Sequence, residues 1–194
     1  MATAASRQCG VAMLESLIAM VVLLIGLLGI VGLQAKTHTL NFEAYQRGQA
    51  LLLLDDMANR IKANRYAAPC YAFSQADGRP YLGTDGPNHK GDASCSAVAG
   101  TTQSRAIAES GMGEWNLLLQ GANETAGGEN RGAMIGARGC VTFDAATGLY
   151  TVIVTWQGMS ATMAPAVACA NGMYGTETRR RAVRTTLRIP SLTE

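Results

Sequence analysis

Charge is scarce in this 194-residue chain: Asp, Glu, Lys and Arg together make up 15%, and the net charge is +2. That balance argues against a nucleic-acid partner and against a polybasic membrane patch. There are only two histidines, His38 and His89. His38 falls in a helical pattern. His89 sits beside Lys90 in a loop with no second ligand cluster, so it reads as a solvated loop residue rather than a metal ligand. No Gly-x-Ser-x-Gly, no His-Glu-x-x-His and no phosphate-binding glycine loop occurs. The absence of any Cys-x-x-Cys pair argues against structural zinc and thioredoxin-type chemistry. Asp77, Asp85 and Asp92 lie in glycine-bearing loops, but their spacing does not match a calcium loop, and they read as turn formers. The sequence therefore assigns no catalytic residue, no metal and no cofactor, and the chain is read as a non-enzyme. Proline is also rare, and none precedes Pro69.

What is present is a long apolar stretch near the N-terminus. From Leu17 to Leu33 there is no charge and no strongly polar side chain. Counted from Val11, the stretch is long enough as a helix to cross a hydrocarbon core of roughly 30 Å. Glu15 near its start is out of place, because a carboxylate in lipid is costly and calls for a function and a partner charge. A short leader with Arg7 as its one charge ends at Gly10, just before the run. A cleaved secretory signal would have a shorter apolar core and a small-residue site at its end. An ordinary single-span anchor accounts for the hydrophobicity but not for Glu15 or Gly10. Gly26, Gly29 and Gly32 form a small-residue stripe that permits close helix packing.

The helical pattern continues. Leu40, Ala44, Leu51, Leu54, Ala58 and Ile61 recur at helical steps, while Lys36, Glu43, Gln46, Arg47, Asn59 and Lys62 fall mostly on the other faces. One helix from about Ser16 to about Arg65 is expected, roughly 75 Å long, ended by Pro69 and Cys70. The turn-rich segment that follows contains one helix candidate, Ala106 to Gln120, with Trp115, Leu118 and Leu119 as its apolar face and Trp115 as a core anchor. Strands are expected at Cys140–Asp144, Leu149–Gln157 and Arg180–Ile189, with Asp144–Gly148 as a hairpin loop. In the second strand, Tyr150, Val152, Val154 and Trp156 share one face, and Leu149, Thr151, Ile153 and Thr155 share the other. In the third, Val183, Thr185, Leu187 and Ile189 point inward. Arg179, Arg180 and Arg181 read as a solvated or ion-paired strand start. The fold class is α+β: a long N-terminal helix whose second half packs on a small antiparallel head. The boundaries are a leader 1–10, an apolar helix 11–34, an amphipathic half 35–66 and a globular head 67–194.

Of five cysteines, Cys9 lies in the leader, leaving Cys70, Cys95, Cys140 and Cys169. In an oxidising compartment an even number is expected to pair. The sequence leaves three connectivities open. Nearest neighbours, Cys70 with Cys95 and Cys140 with Cys169, are preferred because each bond would staple a glycine-rich loop.

Gly10, Val11 and Glu15 resemble the class III signal of type IV prepilins and type II secretion pseudopilins. That signal is a leader ending in glycine, a hydrophobic first mature residue and a glutamate four positions later, at the head of an apolar helix. The usual phenylalanine or methionine after the glycine is Val11 here. The run Leu24-Ile25-Gly26-Leu27-Leu28-Gly29, the following Gln34, the Glu114-Trp115 helix and the strand around Val152 to Trp156 are similar to the minor pilins of the type IV pilus modification (PilV) family. The resemblance implies insertion in the inner membrane with a periplasmic head. Cleavage after Gly10 by a prepilin peptidase and methylation of Val11 would follow. The mature protein would then join a complex of minor and major pilins with the inner-membrane assembly platform, priming the pilus and/or entering the filament at the cell surface. Glu15 would neutralise the terminus of a neighbouring subunit. Two alternatives stay open: a minor pseudopilin of a type II secretion system, and a membrane-anchored periplasmic enzyme or binding protein. The long cysteine-bearing loops favour the pilus reading.

Overall fold

The computed structural model describes residues 11–73, 81–83, 95, 100–122, 125–127, 129–130 and 134–190. The chain forms two units, Met1–Phe42 and Glu43–Glu194. With no proline to interrupt it, the apolar and leucine-rich sequence forms one helix, α1, Val11–Ala63. It begins earlier than the expected Ser16, because nothing between Val11 and Ser16 opposes helix. Its end comes where the Asn64 N–H bonds the Arg60 carbonyl oxygen and a 3-10 stretch, Arg65–Tyr71, begins. That stretch is broken by the non-helical dihedrals of Ala67 and holds Pro69, whose missing N–H cannot continue a helix.

Within the second unit, α1 buries Gln46, Ala50, Leu54, Met57, Ala58 and Ile61. This corrects the expected stripe. Leu40, Ala44 and Leu51 are exposed, and Gln46, expected on a polar face, is buried. The packed face is rotated by roughly a fifth of a turn from the expected one. The run Leu51-Leu52-Leu53-Leu54 points in every direction around the helix, so apolar periodicity alone does not choose among its phases.

A second helix, α2, spans Thr102–Leu119. Gly100 at φ +82° turns the chain into it, and the Thr101 hydroxyl accepts from the Ser104 N–H at 3.2 Å, capping the first turn. This cap explains why α2 starts before the expected Ala106. At the other end the Gly121 N–H bonds the Leu118 carbonyl and the Ala122 N–H bonds the Leu117 carbonyl. Gly121 sits at φ +81°, where the absence of a Cβ is needed. The buried face is Ala108, Gly111, Met112, Trp115, Asn116 and Leu119. Leu118, expected to share it, is half-buried.

The strands are β1 (Thr125–Ala126), β2 (Glu129–Asn130), β3 (Arg138–Asp144), β4 (Leu149–Gln157) and β5 (Arg180–Arg188). β1 and β2 form a two-residue ladder, while β3, β4 and β5 make an antiparallel sheet in that order. The β3–β4 loop is built by Asp144, whose carboxylate accepts from the Ala146 N–H at 2.9 Å and the Thr147 hydroxyl at 2.7 Å. Gly148 closes it at φ +68°.

One sheet face carries Val141, Val152, Val154, Tyr150, Trp156 and Leu187 into the core, joined by Leu54, Met57 and Ile61 of α1 and Met112, Trp115 and Leu119 of α2. On the other face Ile153 and Thr155 are buried as well. The chain after β4 doubles back over it. Cys140, Ile153 and Cys169 cluster there with Phe73, Tyr81 and Val167, and the Tyr174 and Thr155 hydroxyls lie 2.9 Å apart.

Two disulfides complete the unit, Cys70–Cys95 and Cys140–Cys169. The architecture is α+β: a long apolar N-terminal helix, a small three-stranded antiparallel sheet and two disulfide-closed loops.

Candidate functional site: the apolar helix and its anchored head

In the first unit, α1 presents apolar side chains on every side. Val11, Leu14, Leu17, Ile18, Val21, Leu24, Leu28 and Val31 are all exposed. The helix is long and apolar enough to cross a membrane. Lipid, or other apolar helices, is the environment that such a surface suits, because water is not.

Glu15 is exposed on this helix, and among the described residues it has no salt-bridge or hydrogen-bond partner. Its neighbour Ser16 donates its hydroxyl back to the Met13 carbonyl oxygen at 2.9 Å, which removes one polar group from an apolar surface. A carboxylate left without a cation in an apolar setting is costly. Val11 is the first residue of α1, and Gly10 lies outside the described residues. At Gly26, Gly29 and Gly32 a Cβ would meet nothing within 4 Å. Among the described residues no contact requires those glycines.

The second unit is anchored to its own stretch of α1 by polar contacts that the sequence did not announce, among them that of the Arg60 guanidinium with the Glu114 carboxylate at 2.6 Å. The Trp115 indole N–H donates to the Leu53 carbonyl oxygen at 2.8 Å. The ring is fully buried, as its expected role of core anchor requires. Glu43 Oε1 accepts from the Met159 N–H at 3.0 Å, the Ser160 N–H at 3.0 Å and the Ser160 hydroxyl at 2.9 Å. Arg181 completes the cluster, with its Nη2 3.5 Å from the same oxygen and 2.7 Å from the Ser160 carbonyl. Desolvation pushes the Glu43 carboxyl up. The Ser160 donors, Arg181 and the Met159 N–H outweigh it and hold the group below the usual Glu range. By sequence Glu43 was one polar residue among several on the helix. The small residues Gly158, Ser160 and Ala161 were the only hint of a loop able to fold its amides around it.

The arginine cluster resolves into distinct roles. Arg179 is exposed. Arg180 is 3% exposed and donates to the carbonyl oxygens of Pro165, Val167 and Cys169 and to the Glu177 carboxylate. It is therefore ion-paired, as expected, but buried rather than solvated, and it pins the disulfide loop to the start of β5. Glu177 in turn accepts the Gly172 N–H at 2.7 Å. That bond first, then Arg180, keep its carboxyl below the usual range against some desolvation.

Among the expected site residues, the structure brings Cys70 to Cys95 and Cys140 to Cys169; Val11 and Glu15 belong to the first unit and the four cysteines to the second. His38 is exposed on α1. His89, Asp77, Asp85 and Asp92 lie outside the described residues. Comparison with protein-family models, curated proteins and solved structures finds no match to this chain.

Proposed function

We propose that this chain is a minor pilin that takes part in assembling a type IV pilus, as a structural and assembly component rather than an enzyme. The observation that carries the reading is one combination. Gly10 precedes a helix that begins at Val11, is apolar on all sides, and holds the single carboxylate Glu15 near its start. The same helix ends inside a disulfide-closed α+β head. A plain anchor has no use for the glutamate, whereas a helix that assembles beside copies of its kind does. Cleavage after Gly10 creates a cationic amino terminus on each subunit. An incoming subunit's Glu15 can meet that charge on its neighbour, which relieves the cost of an unpaired carboxylate in lipid. The head then sits on the periplasmic side until the subunit leaves the inner membrane for the pilus, where the two disulfides stay oxidised.

The test is the intact mass of the protein extracted from cells that carry a prepilin peptidase. The expected chain starts at a methylated Val11 and lacks the four hydrogens lost to two disulfides. A chain still carrying residues 1–10 overturns the reading. A minor pseudopilin of a type II secretion system has the same signal and helix. Crosslinking from the mature N-terminal helix separates the two, by recovering pilins in one case and secretion-platform components in the other.

A further inference from the structure

We propose that the free edge of β5 is a docking strand, and that it accepts an extended acidic segment of another polypeptide as a fourth strand of the sheet. This surface is separate from the apolar helix and does not depend on how that helix is processed.

The two edges of the sheet are treated differently. β3 is covered in part: Leu82 exchanges two backbone bonds with Gly139, at 2.8 and 3.0 Å, and the Phe73 N–H bonds the Val141 carbonyl at 3.1 Å. β5 pairs along its whole length with β4 and, among the described residues, with no strand on its other side. Among the described residues no backbone or side-chain group bonds the second edge of Arg181–Arg188. An edge of this kind, about 27 Å long over those residues, presents alternate N–H and C=O groups to any strand that approaches. Proteins ordinarily shorten, bulge or cover such an edge.

The side chains say what can approach. Four of the nine β5 residues are arginine and none is acidic. Arg180 and Arg181 are neutralised by Glu177 and Glu43. Arg184 is exposed and has no partner among the described residues. Arg188 donates only to a neutral acceptor, the Thr147 carbonyl oxygen, at 2.6 Å. Both lie on the same face of the strand, where the register places them across from Ile153 and Leu149 of β4. A second copy of β5 laid along this edge would set arginine beside arginine, so like charge opposes self-pairing. A strand with carboxylates at alternate positions meets both free cations on one face while its backbone completes the ladder. Backbone bonds would supply the affinity and the two arginines the choice of partner.

The experiment uses the full chain in micelles of a zwitterionic detergent. The probe is a fluorescein-labelled peptide that alternates glutamate with valine and threonine, followed by anisotropy. The expected result is saturable binding that weakens at least tenfold when every second peptide nitrogen on the pairing edge is methylated, and at least tenfold in Arg184→Glu. A peptide with lysine in place of glutamate should bind Arg184→Glu more tightly than it binds the parent. Arg184 is exposed, so a near-ultraviolet circular dichroism spectrum identical to the parent's is expected for the variant. Hydrogen exchange should show the outward amides of β5 slowing only when the unmethylated acidic peptide is present. No saturable binding means that the arginines merely blunt the edge, and it overturns the proposal. Binding that ignores backbone methylation means a diffuse basic patch, and it overturns the proposal as well.

Discussion

The indole ring of Trp115 lies against the bare Cα of Gly139, so that a Cβ on Gly139 would collide with the Cη2–Cζ3 edge of the ring. Helix α2 can approach β3 this closely only because that position carries no side chain. Gly139→Ala must displace a ring that is also held by its bond to Leu53. The expected cost is about 3 kcal/mol, the upper range for overpacking a filled core. Thermal unfolding of the variant should show the midpoint falling by about 6 to 12 °C, given the usual sensitivity of domains of this size.

Gln46 is the opposite case. Its side chain is buried, and among the described residues neither amide atom has a hydrogen-bond partner. Unpaired buried amide groups cost about 1–3 kcal/mol. Gln46→Met keeps the length and removes the unsatisfied atoms. It should stabilise the head by about 1 kcal/mol, read as a higher denaturant midpoint with an unchanged slope.

The grip of Glu43 on the Ser160 loop carries a defined pH dependence. The folded carboxyl titrates below its unfolded value, so the stabilisation is complete above the ordinary Glu value of about 4.3 and is lost as pH falls through the lower folded value. Hydrogen exchange at the Met159 and Ser160 amides should accelerate in that acid window, relative to the intrinsic rate, and Glu43→Gln should remove the step. A parent protein whose protection there is flat down to strongly acidic pH would contradict the assignment.

Each disulfide closes a loop of moderate size, with sequence separations of 25 and 29. Chain-entropy arguments give about 3.5 kcal/mol for either. The pair Cys70→Ser with Cys95→Ser should lower stability by that amount. So should Cys140→Ser with Cys169→Ser, and the exchange protection of Ile153 and Thr155 should fall with it, because that bond belongs to the cover over their face of the sheet.

Under the proposed function, Glu15→Ala should leave membrane insertion intact and reduce incorporation into a filament or priming complex at least tenfold, measured by immunoblot of sheared pili and of crosslinked membranes. Normal incorporation would remove the role given to Glu15. Gly10→Ala should block maturation, and a band of mature size would contradict the cleavage site.

Much of this layout was legible because its signals are local. An apolar run without proline makes one helix. Asp144 and Gly148 make a turn, and alternation from Leu149 to Gln157 makes a strand. What escaped is set by distant residues. The phase of α1 is chosen by the surfaces it meets, and four successive leucines hide that choice. The burial of Ile153 and Thr155 depends on a loop that returns from Val167 and Tyr174. Arg180 looks solvated beside two other arginines until three carbonyl oxygens and Glu177 are brought to it by the fold. Of the apolar-helix residues, Glu15 was singled out as a charge in an apolar run and Val11 by its resemblance to the class III signal, while Glu43, which has no motif around it, was not singled out.

The placement of the core along the chain also sets a clock. Met57 and Ile61 of α1 share their core with Trp115, Val152 and Leu187. On a ribosome adding roughly 5–20 residues per second, about 6 to 26 seconds separate the emergence of Met57 from that of Leu187. For all that time the stripe on α1 exists without the surface that will cover it. A nascent chain of this design carries an uncovered amphipathic helix through most of its synthesis, long before it is a finished fold.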